Sequence, residues 1–247
     1  MTWLRSPLPR PGAATRLICF THAGGSASAY RDWADLLPGS VELHAVQLPG
    51  RADRFGEPMP QDMETLVGAI VEATLPLLDR PLALFGHSMG AMVAYETTRA
   101  LEARGADPVR LFASGCRAPH EPRRSPEISS YDDERFMAEL VMLGGTDLDV
   151  LSHPAIQQVV FPYVRADFRL IESHRHRPGP ALRTPISVIV GDADPVVTPA
   201  QAKAWERHTL SGFSLTVMPG DHFYLQPQRE AVVAEIVRRI GEGRPGR

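Results

Sequence analysis

Short apolar runs recur along the chain, and longer segments that mix polar and apolar residues separate them. We predict that the runs are strands, over residues 16–20, 41–48, 82–86, 109–115, 186–191 and 213–218. Strands that alternate with helix-length segments form mostly parallel sheets, because a parallel connection has to cross the face of the sheet. The pattern therefore predicts an α/β fold in which helices flank the sheet.

The segments between most of these runs have the apolar periodicity of amphipathic helices. The predicted helices cover residues 30–37, 62–78, 89–104, 198–207 and 228–240. Binding and catalytic sites in open parallel sheets lie at the carboxyl ends of the strands. The loops that directly follow the apolar runs therefore hold the candidate functional residues.

The alternation stops over residues 116–184, where no apolar run is typical of a core strand. Ser130 is placed to cap one helix in this segment, and Gly144 is placed to end it. Pro154 can open a second helix, because proline is tolerated in the first turn. We expect the segment to be an insertion that covers the strand ends as a helical lid, and a subdomain without a role at the site is the alternative.

Length and charge exclude some classes of partner. A chain of 247 residues with this pattern is expected to form a single domain over residues 1–247. It has 26 Lys and Arg residues against 29 Asp and Glu, a net charge of −3, so no overall positive field would attract nucleic acid or anionic lipid. No apolar stretch has the length of a signal peptide or a membrane span, so we expect a soluble cytoplasmic protein without nucleic-acid or membrane partners.

The two cysteines, Cys19 and Cys116, lie in or beside predicted strands. We interpret them as small buried apolar residues rather than as a disulfide or a metal site. No metal ion and no cofactor are expected.

A serine lies between two glycines where a predicted strand meets a predicted helix. Ser88 follows Gly86 by two residues and precedes Gly90 by two, in the stretch LFGHSMGA. A strand that turns abruptly into a helix leaves no room for side chains at the two glycine positions, and it presents the central serine at the top of the sheet. This context predicts a nucleophile elbow with Ser88 as the nucleophile. We interpret the adjacent His87 as a structural hydrogen-bonding residue.

A serine nucleophile needs a base and an orienting acid, which follow it along the chain in this type of fold. His222 follows the last predicted strand and is the preferred base, whereas His208 is interpreted as a solvated residue at a helix end. Asp194 is the preferred acid. Asp192 in the same loop is expected to form an Asx-turn within that loop instead.

Acyl transfer also needs backbone N–H groups that stabilise an oxyanion. Met89 follows the nucleophile and supplies one candidate N–H group. The glycine-rich loop at residues 20–27 follows the first predicted strand, and Ala23 is the best-placed second donor.

Several motifs together resemble the type II thioesterases of polyketide and nonribosomal peptide synthesis, which are members of the α/β-hydrolase superfamily. They are FTHAGGSA (20–27), VQLPGR (46–51), LFGHSMGA (84–91), SGCRAP (114–119), LGG (143–145), FPYVRADF (161–168), GDADPVV (191–197) and PGDHFYL (219–225). The sequence departs from the usual family pattern at Thr21, where proline is common.

The resemblance implies that Ser88, Asp194 and His222 form a catalytic triad and that Ala23 and Met89 form the oxyanion hole. These are the roles assigned above from the residues themselves. It implies that the insertion is a lid. It also implies that the substrate is an acyl group on the phosphopantetheine arm of an acyl carrier protein or peptidyl carrier domain of a synthase. With few residues ahead of the first predicted strand, one or both leading antiparallel strands of the superfamily fold are expected to be missing.

Two other functions remain open from the sequence. The same triad could serve a small-molecule carboxylesterase or lipase, and a hydrolase scaffold could also be a non-catalytic interaction protein. The resemblance also implies that carrier domains are acidic near the serine that bears the arm, so an editing thioesterase that acts on misloaded or stalled carrier domains would need a local basic surface. The candidates for that surface are Arg123, Arg124, Arg175 and Arg177.

Overall fold

The computed structural model describes residues 3–121, 127–144 and 148–242. Within these residues one sheet of seven strands forms the centre of the molecule. Its strands are β1 (Leu4–Arg5), β2 (Thr15–Phe20), β3 (Val41–Val46), β4 (Leu82–His87), β5 (Arg110–Ser114), β6 (Ile186–Gly191) and β7 (Phe213–Met218). All six predicted strands are confirmed, and their ends differ from the prediction by at most two residues.

The strand order is β1-β3-β2-β4-β5-β6-β7. Every neighbouring pair is parallel except β1 and β3, which are antiparallel. The prediction of a mostly parallel sheet is therefore confirmed. The antiparallel strand β1 has only two residues, so one short strand stands in front of the parallel ones.

Helices flank the sheet, and three more lie in the described part of the segment between β5 and β6. They are α1 (Trp33–Leu36), α2 (Met63–Thr74), α3 (Met89–Ala103), α4 (Asp133–Leu143), α5 (Leu148–Leu151), α6 (Pro154–Ser173), α7 (Pro199–Ala202) and α8 (Arg229–Gly241). Short 3₁₀ helices cover Ala27–Tyr30, Ala52–Arg54, Leu75–Leu77, Ile128–Ser130 and Lys203–His208.

The side chains of each strand alternate between two apolar layers. Leu84 packs with residues of α2 and α3 in one layer. Its neighbour Phe85 packs with residues of α1 and α8 in the other. Both residues are fully buried, so β4 lies at the centre of the core and holds the start of α3 in a fixed position.

Three of the predicted helices are shorter than expected as α-helices. The segment 30–37 has only one α-helical turn, α1, after a 3₁₀ turn that ends at Tyr30. The α-helical part of 62–78 ends at Thr74, because Pro76 has no N–H group to continue the ladder. Only the first turn of 198–207 is α-helical, and the rest is 3₁₀.

The segment between β5 and β6 contains α4, α5 and α6, and its described residues form no strand of the sheet. The prediction that Ser130 caps α4 is wrong: the Asp132 carboxylate accepts the Arg135 N–H at 2.8 Å, and the Ser130 hydroxyl donates to the Glu127 carbonyl. Gly144 ends α4 with a φ of 82°, as predicted.

Pro154 opens α6, also as predicted. The insertion has a small apolar cluster of its own, in which Phe136 of α4 packs on Phe161 of α6. Its role as a lid stays a prediction.

Candidate functional site

The backbone at Ser88 is strained in the way a strand-to-helix turn requires. Ser88 has a φ of 55° and a ψ of −120°, which a non-glycine residue rarely adopts. A Cβ atom at Gly86 would overlap the backbone of Gly90, and one at Gly90 would overlap the carbonyl oxygens of Phe20 and Thr21. The two glycines are therefore needed for the close packing of β4, α3 and the end of β2.

The structure brings together the three residues predicted as a triad. The Oγ atom of Ser88 lies 3.0 Å from Nε2 of His222, and Nδ1 of His222 lies 2.9 Å from Oδ2 of Asp194. The side chains of His222 and Asp194 are buried. This arrangement lets His222 accept the Ser88 proton while the carboxylate fixes its tautomer.

The two aspartates after β6 have different environments. Asp194 is buried, and its second oxygen accepts the N–H groups of Val196 at 2.7 Å and Val197 at 3.3 Å. Asp192 is exposed and accepts the Gly220 N–H at 2.9 Å. The predicted Asx-turn within its own loop is therefore wrong, and Asp192 instead ties that loop to the one that carries His222.

The predicted oxyanion donors flank the serine. Met89 is the first residue of α3, where the N–H group has no acceptor within the helix. Ala23 lies in a turn after β2, and both residues line the same cavity as Ser88. Their role as oxyanion donors stays a prediction.

Two further histidines lie beside His222 and are held neutral. The His87 ring is 4.9 Å from the His222 ring, and its Nδ1 hydrogen-bonds the Ser114 hydroxyl at 2.8 Å. Burial, and then the positive charge of a protonated His222, lower the pKa of His87 well below its usual range. The same two causes, with a smaller contribution from Arg51, lower the pKa of His22 to about 4.

A cavity of about 990 Å³ opens above Ser88 and His222. Its floor is formed by strand-end loops of the sheet, and its walls include apolar side chains of the insertion, among them Leu140, Val160 and Phe168. Such a mixture of a polar floor and apolar walls is typical of a small-molecule site. Cys116 is only partly buried and lines the cavity, so the interpretation of both cysteines as buried holds for Cys19 alone.

The interpretation of His208 as a solvated residue is wrong. It is buried, and its ring nitrogens hydrogen-bond the Tyr95 hydroxyl at 3.0 Å and His120 Nδ1 at 2.7 Å. Burial, and then the charges of His120 and His176, lower its pKa to about 4. The sequence offered one signal for the burial of His208: the large apolar residue Trp205 stands one helical turn earlier. Trp205 is also buried in the structure.

The four predicted contact arginines divide into two pairs. Arg175 and Arg177 are exposed at the end of the insertion, and Arg175 also lines the cavity. Arg177 has a long ion pair of 3.4 Å with Glu64. Arg123 and Arg124 lie outside the described residues.

Sequence reasoning assigned no role to Arg51 and Asp167, which the structure joins in a buried ion pair. Their motifs, VQLPGR and FPYVRADF, were the only signal. Among the described residues, no helix is long and apolar enough to cross a membrane. No group of three or more metal-ligating side chains is found in that part of the chain either.

Comparisons of sequence and of structure with known proteins both find thioesterases. The family model described as "Thioesterase domain" matches residues 15–240. The chain is 41% identical over 237 residues to thioesterase PikA5 of Streptomyces venezuelae, covering 95% of this chain and 84% of that protein. It is 40% identical over 238 residues to a probable cadicidin biosynthesis thioesterase of Streptomyces griseus, covering 96% of this chain and 66% of that one.

Among solved structures, the type II thioesterase BorB from the borrelidin biosynthetic cluster superimposes with a TM-score of 0.89 at 39% identity. The match covers 96% of this chain and 97% of BorB. The described sheet and its flanking helices are therefore those of an established thioesterase fold.

Proposed function

The chain belongs to the thioesterase domain family and resembles its type II members, and from this premise we propose that it edits carrier domains by hydrolysing misloaded or stalled acyl groups. The substrate is an acyl thioester on the phosphopantetheine arm of an acyl or peptidyl carrier domain. The observation that supports the proposal most is the hydrogen-bonded series of Ser88, His222 and Asp194 at the floor of a large, partly apolar cavity.

The reaction follows from the positions of these groups. Nε2 of His222 takes the proton of Ser88 as Oγ attacks the thioester carbonyl carbon. The N–H groups of Ala23 and Met89 stabilise the oxyanion of the tetrahedral intermediate. The C–S bond then breaks, and the pantetheine sulfur leaves with the proton held by His222.

A water molecule completes the cycle. His222 takes one proton from the water while the hydroxide oxygen attacks the acyl-Ser88 ester, and it returns that proton to Ser88 Oγ as the free acid leaves. A thiol has a pKa of about 8.5, so the first leaving group needs little protonation. The site is therefore adequate for a thioester without further acid assistance.

The carrier domain is the proposed partner, and Arg175 and Arg177 are its proposed contacts. Both are exposed at the end of the insertion, and Arg175 lines the cavity through which the arm would enter. One relative is named as a probable cadicidin biosynthesis thioesterase, and BorB is described as a type II thioesterase from a biosynthetic cluster, which supports a synthase as the source of the carrier. We place the enzyme in the cytoplasm with that synthase.

The test compares three substrates with the same acyl group: an acyl carrier protein, the acyl-pantetheine thioester and a simple oxygen ester. The proposal expects kcat/KM to fall in that order. A higher kcat/KM for the oxygen ester would instead identify a small-molecule carboxylesterase. No turnover of any substrate by correctly folded protein would favour a non-catalytic interaction protein.

A further inference from the structure

The turn that carries Ala23 has a defined shape. The His22 carbonyl accepts the Gly25 N–H at 3.0 Å, and Gly24, the third residue of the turn, has a φ of 83°. A positive φ at this position is typical of a type II turn. In a planar trans peptide the N–H points opposite to the carbonyl, so the Ala23 N–H points away from the inside of the turn.

The central peptide of this turn is held from outside by the insertion. The Gly24 N–H donates to Oδ2 of Asp167, a residue of α6, at 2.7 Å. The alternative type I turn would rotate this peptide and direct the Ala23 carbonyl toward the carboxylate. Because the partly negative carbonyl oxygen and the carboxylate repel each other, Asp167 favours the type II form. The Ala23 N–H belongs to the preceding peptide, so Asp167 acts on it by fixing the position of the turn.

Arg51 holds Asp167 and the other side of the same turn. Its guanidinium donates two hydrogen bonds to Asp167, at 2.5 and 2.7 Å, and a third to the Gly25 carbonyl at 3.1 Å. The Asp167 side chain has no exposed surface, and Arg51 is 3% exposed. A buried pair with this bidentate geometry has few alternative arrangements, so the turn is fixed on both of its sides.

We propose that Asp167 and Arg51 are positioning residues that aim the Ala23 N–H at the oxyanion. The proposal rests on the function proposed above, and it gives a role to two motifs, VQLPGR and FPYVRADF, which the triad does not use. It also makes catalysis depend on the insertion, because Asp167 lies on α6. If α6 moves away, the turn loses the acceptor of its Gly24 N–H, so Ala23 and its N–H are no longer held in position.

The principal variant is Asp167→Asn, which nearly keeps the shape of the side chain but loses its charge. Both carboxylate oxygens accept hydrogen bonds, so the NH₂ group of the asparagine must face either the Gly24 N–H or the Arg51 guanidinium, which are both donors. Removal of an entire oxyanion donor costs about 10²- to 10³-fold in kcat, so we expect misalignment of Ala23 to lower kcat by about tenfold to a hundredfold. The KM for the acyl-pantetheine thioester should stay within about twofold, because the ground-state carbonyl gains little from an oxyanion hole.

Two binding measurements separate positioning from a merely structural role. A boronic acid forms a tetrahedral adduct on Ser88, so its affinity should fall by about the same factor as kcat. A non-hydrolysable thioether analogue of the substrate has no oxyanion, so its affinity should be unchanged. The end point of fluorophosphonate labelling counts folded active sites and should equal that of the parent protein.

Glu102→Gln is the matched control. Glu102 is a largely buried carboxylate that accepts both the N–H and the hydroxyl of Thr184 at 2.7 Å, and it does not line the cavity. This variant should keep the kcat and the boronic acid affinity of the parent. If it loses activity as Asp167→Asn does, the effect is general loss of stability and the proposal is wrong.

A second variant covers the case in which Asp167→Asn does not fold. Arg51→Met combined with Asp167→Leu replaces the ion pair by apolar groups, an exchange that is often neutral for stability. It should fold, keep KM and show the same loss of kcat and boronic acid affinity.

Parental kcat in either folded variant would overturn this proposal alone, because the parent protein would still hydrolyse thioesters. Absence of thioester hydrolysis by the parent would instead overturn the proposed function.

Discussion

The elbow around Ser88 and the insertion above it are built in opposite ways. At the elbow, residues close in sequence are forced together: there is no space for a side chain at Gly86 or Gly90, and the backbone at Ser88 between them is strained. The insertion is a set of helices around a small apolar cluster of its own. A buried ion pair, Arg51 with Asp167, ties it to the floor of the site.

This difference separates two tasks. The strand-end loops are held by the central core, so they can keep a nucleophile and a base within hydrogen-bond distance without a substrate. The described part of the insertion has fewer buried side chains and supplies walls of the cavity. Under the proposed function, it would select the acyl group and admit the arm. Changes in the core should therefore remove chemistry, and changes on the outer surface of the insertion should alter recognition.

The largest loss of kcat is expected when Ser88 is replaced. Ser88→Ala should lower kcat by about 10⁶-fold, as the loss of the nucleophile does in other serine hydrolases. It should also abolish labelling by a fluorophosphonate, and thermal unfolding should show that the protein still folds. Persistent labelling of another serine would mean that the elbow does not hold the nucleophile.

The next effect separates the two aspartates of one core loop. Asp194→Asn should lower kcat by about 10⁴-fold, because an amide favours the wrong tautomer of His222. Asp192→Asn should cost far less, because an amide oxygen still accepts the Gly220 N–H. Kinetics of the two variants on one thioester check the ranking, and the reverse order would assign the acid to Asp192.

A smaller loss of kcat/KM is expected when charged residues on the surface of the insertion are replaced. Arg175→Ala combined with Arg177→Ala should lower kcat/KM severalfold for an acyl carrier protein, because exposed charges act mainly on the encounter of two partners. The acyl-pantetheine thioester should be processed at the parental rate. Added salt should reduce the difference, since charges are screened over about 8 Å at physiological ionic strength. Equal loss on both substrates would place these arginines in the chemical step.

The smallest effect concerns the buried histidines of the core. His22 and His208 have a pKa of about 4 in the folded protein, below the value of about 6.5 in an unfolded chain. The unfolded state therefore binds more protons between these values, so the free energy of unfolding should be highest above about pH 6.5 and should fall toward pH 4.

Urea titrations at several pH values measure this dependence. His208→Gln removes one of the titrating groups, so its slope between pH 6.5 and 4 should be shallower than that of the parent. An unchanged slope would mean that His208 is not held neutral.

Local patterns were sufficient to predict the six parallel strands of the sheet and three residues that the structure brings together. The apolar runs predicted six of the strands, because a buried parallel strand needs little besides continuous apolar residues. Ser88, Asp194 and His222 could be selected because each follows a strand in a fold that gathers strand ends at one edge. Their roles stay predictions that the variants above test.

Contacts between distant residues could not be predicted in this way. His208 is buried through partners far away in sequence, Tyr95 and His120. Arg51 and Asp167 are likewise far apart in sequence, so only the folded structure brings their two motifs together.

Mass spectrometry of a single turnover with an acyl carrier protein tests most directly that the core performs thioester hydrolysis on a carrier-bound substrate. The loaded carrier is mixed with a slight excess of the enzyme, and the reaction is quenched at increasing times. We expect the acyl mass to appear on the peptide that contains Ser88, together with a free thiol on the carrier, and then to be lost as the free acid. Release of the acyl group without acylation of Ser88, or a carrier that stays loaded, would contradict the account.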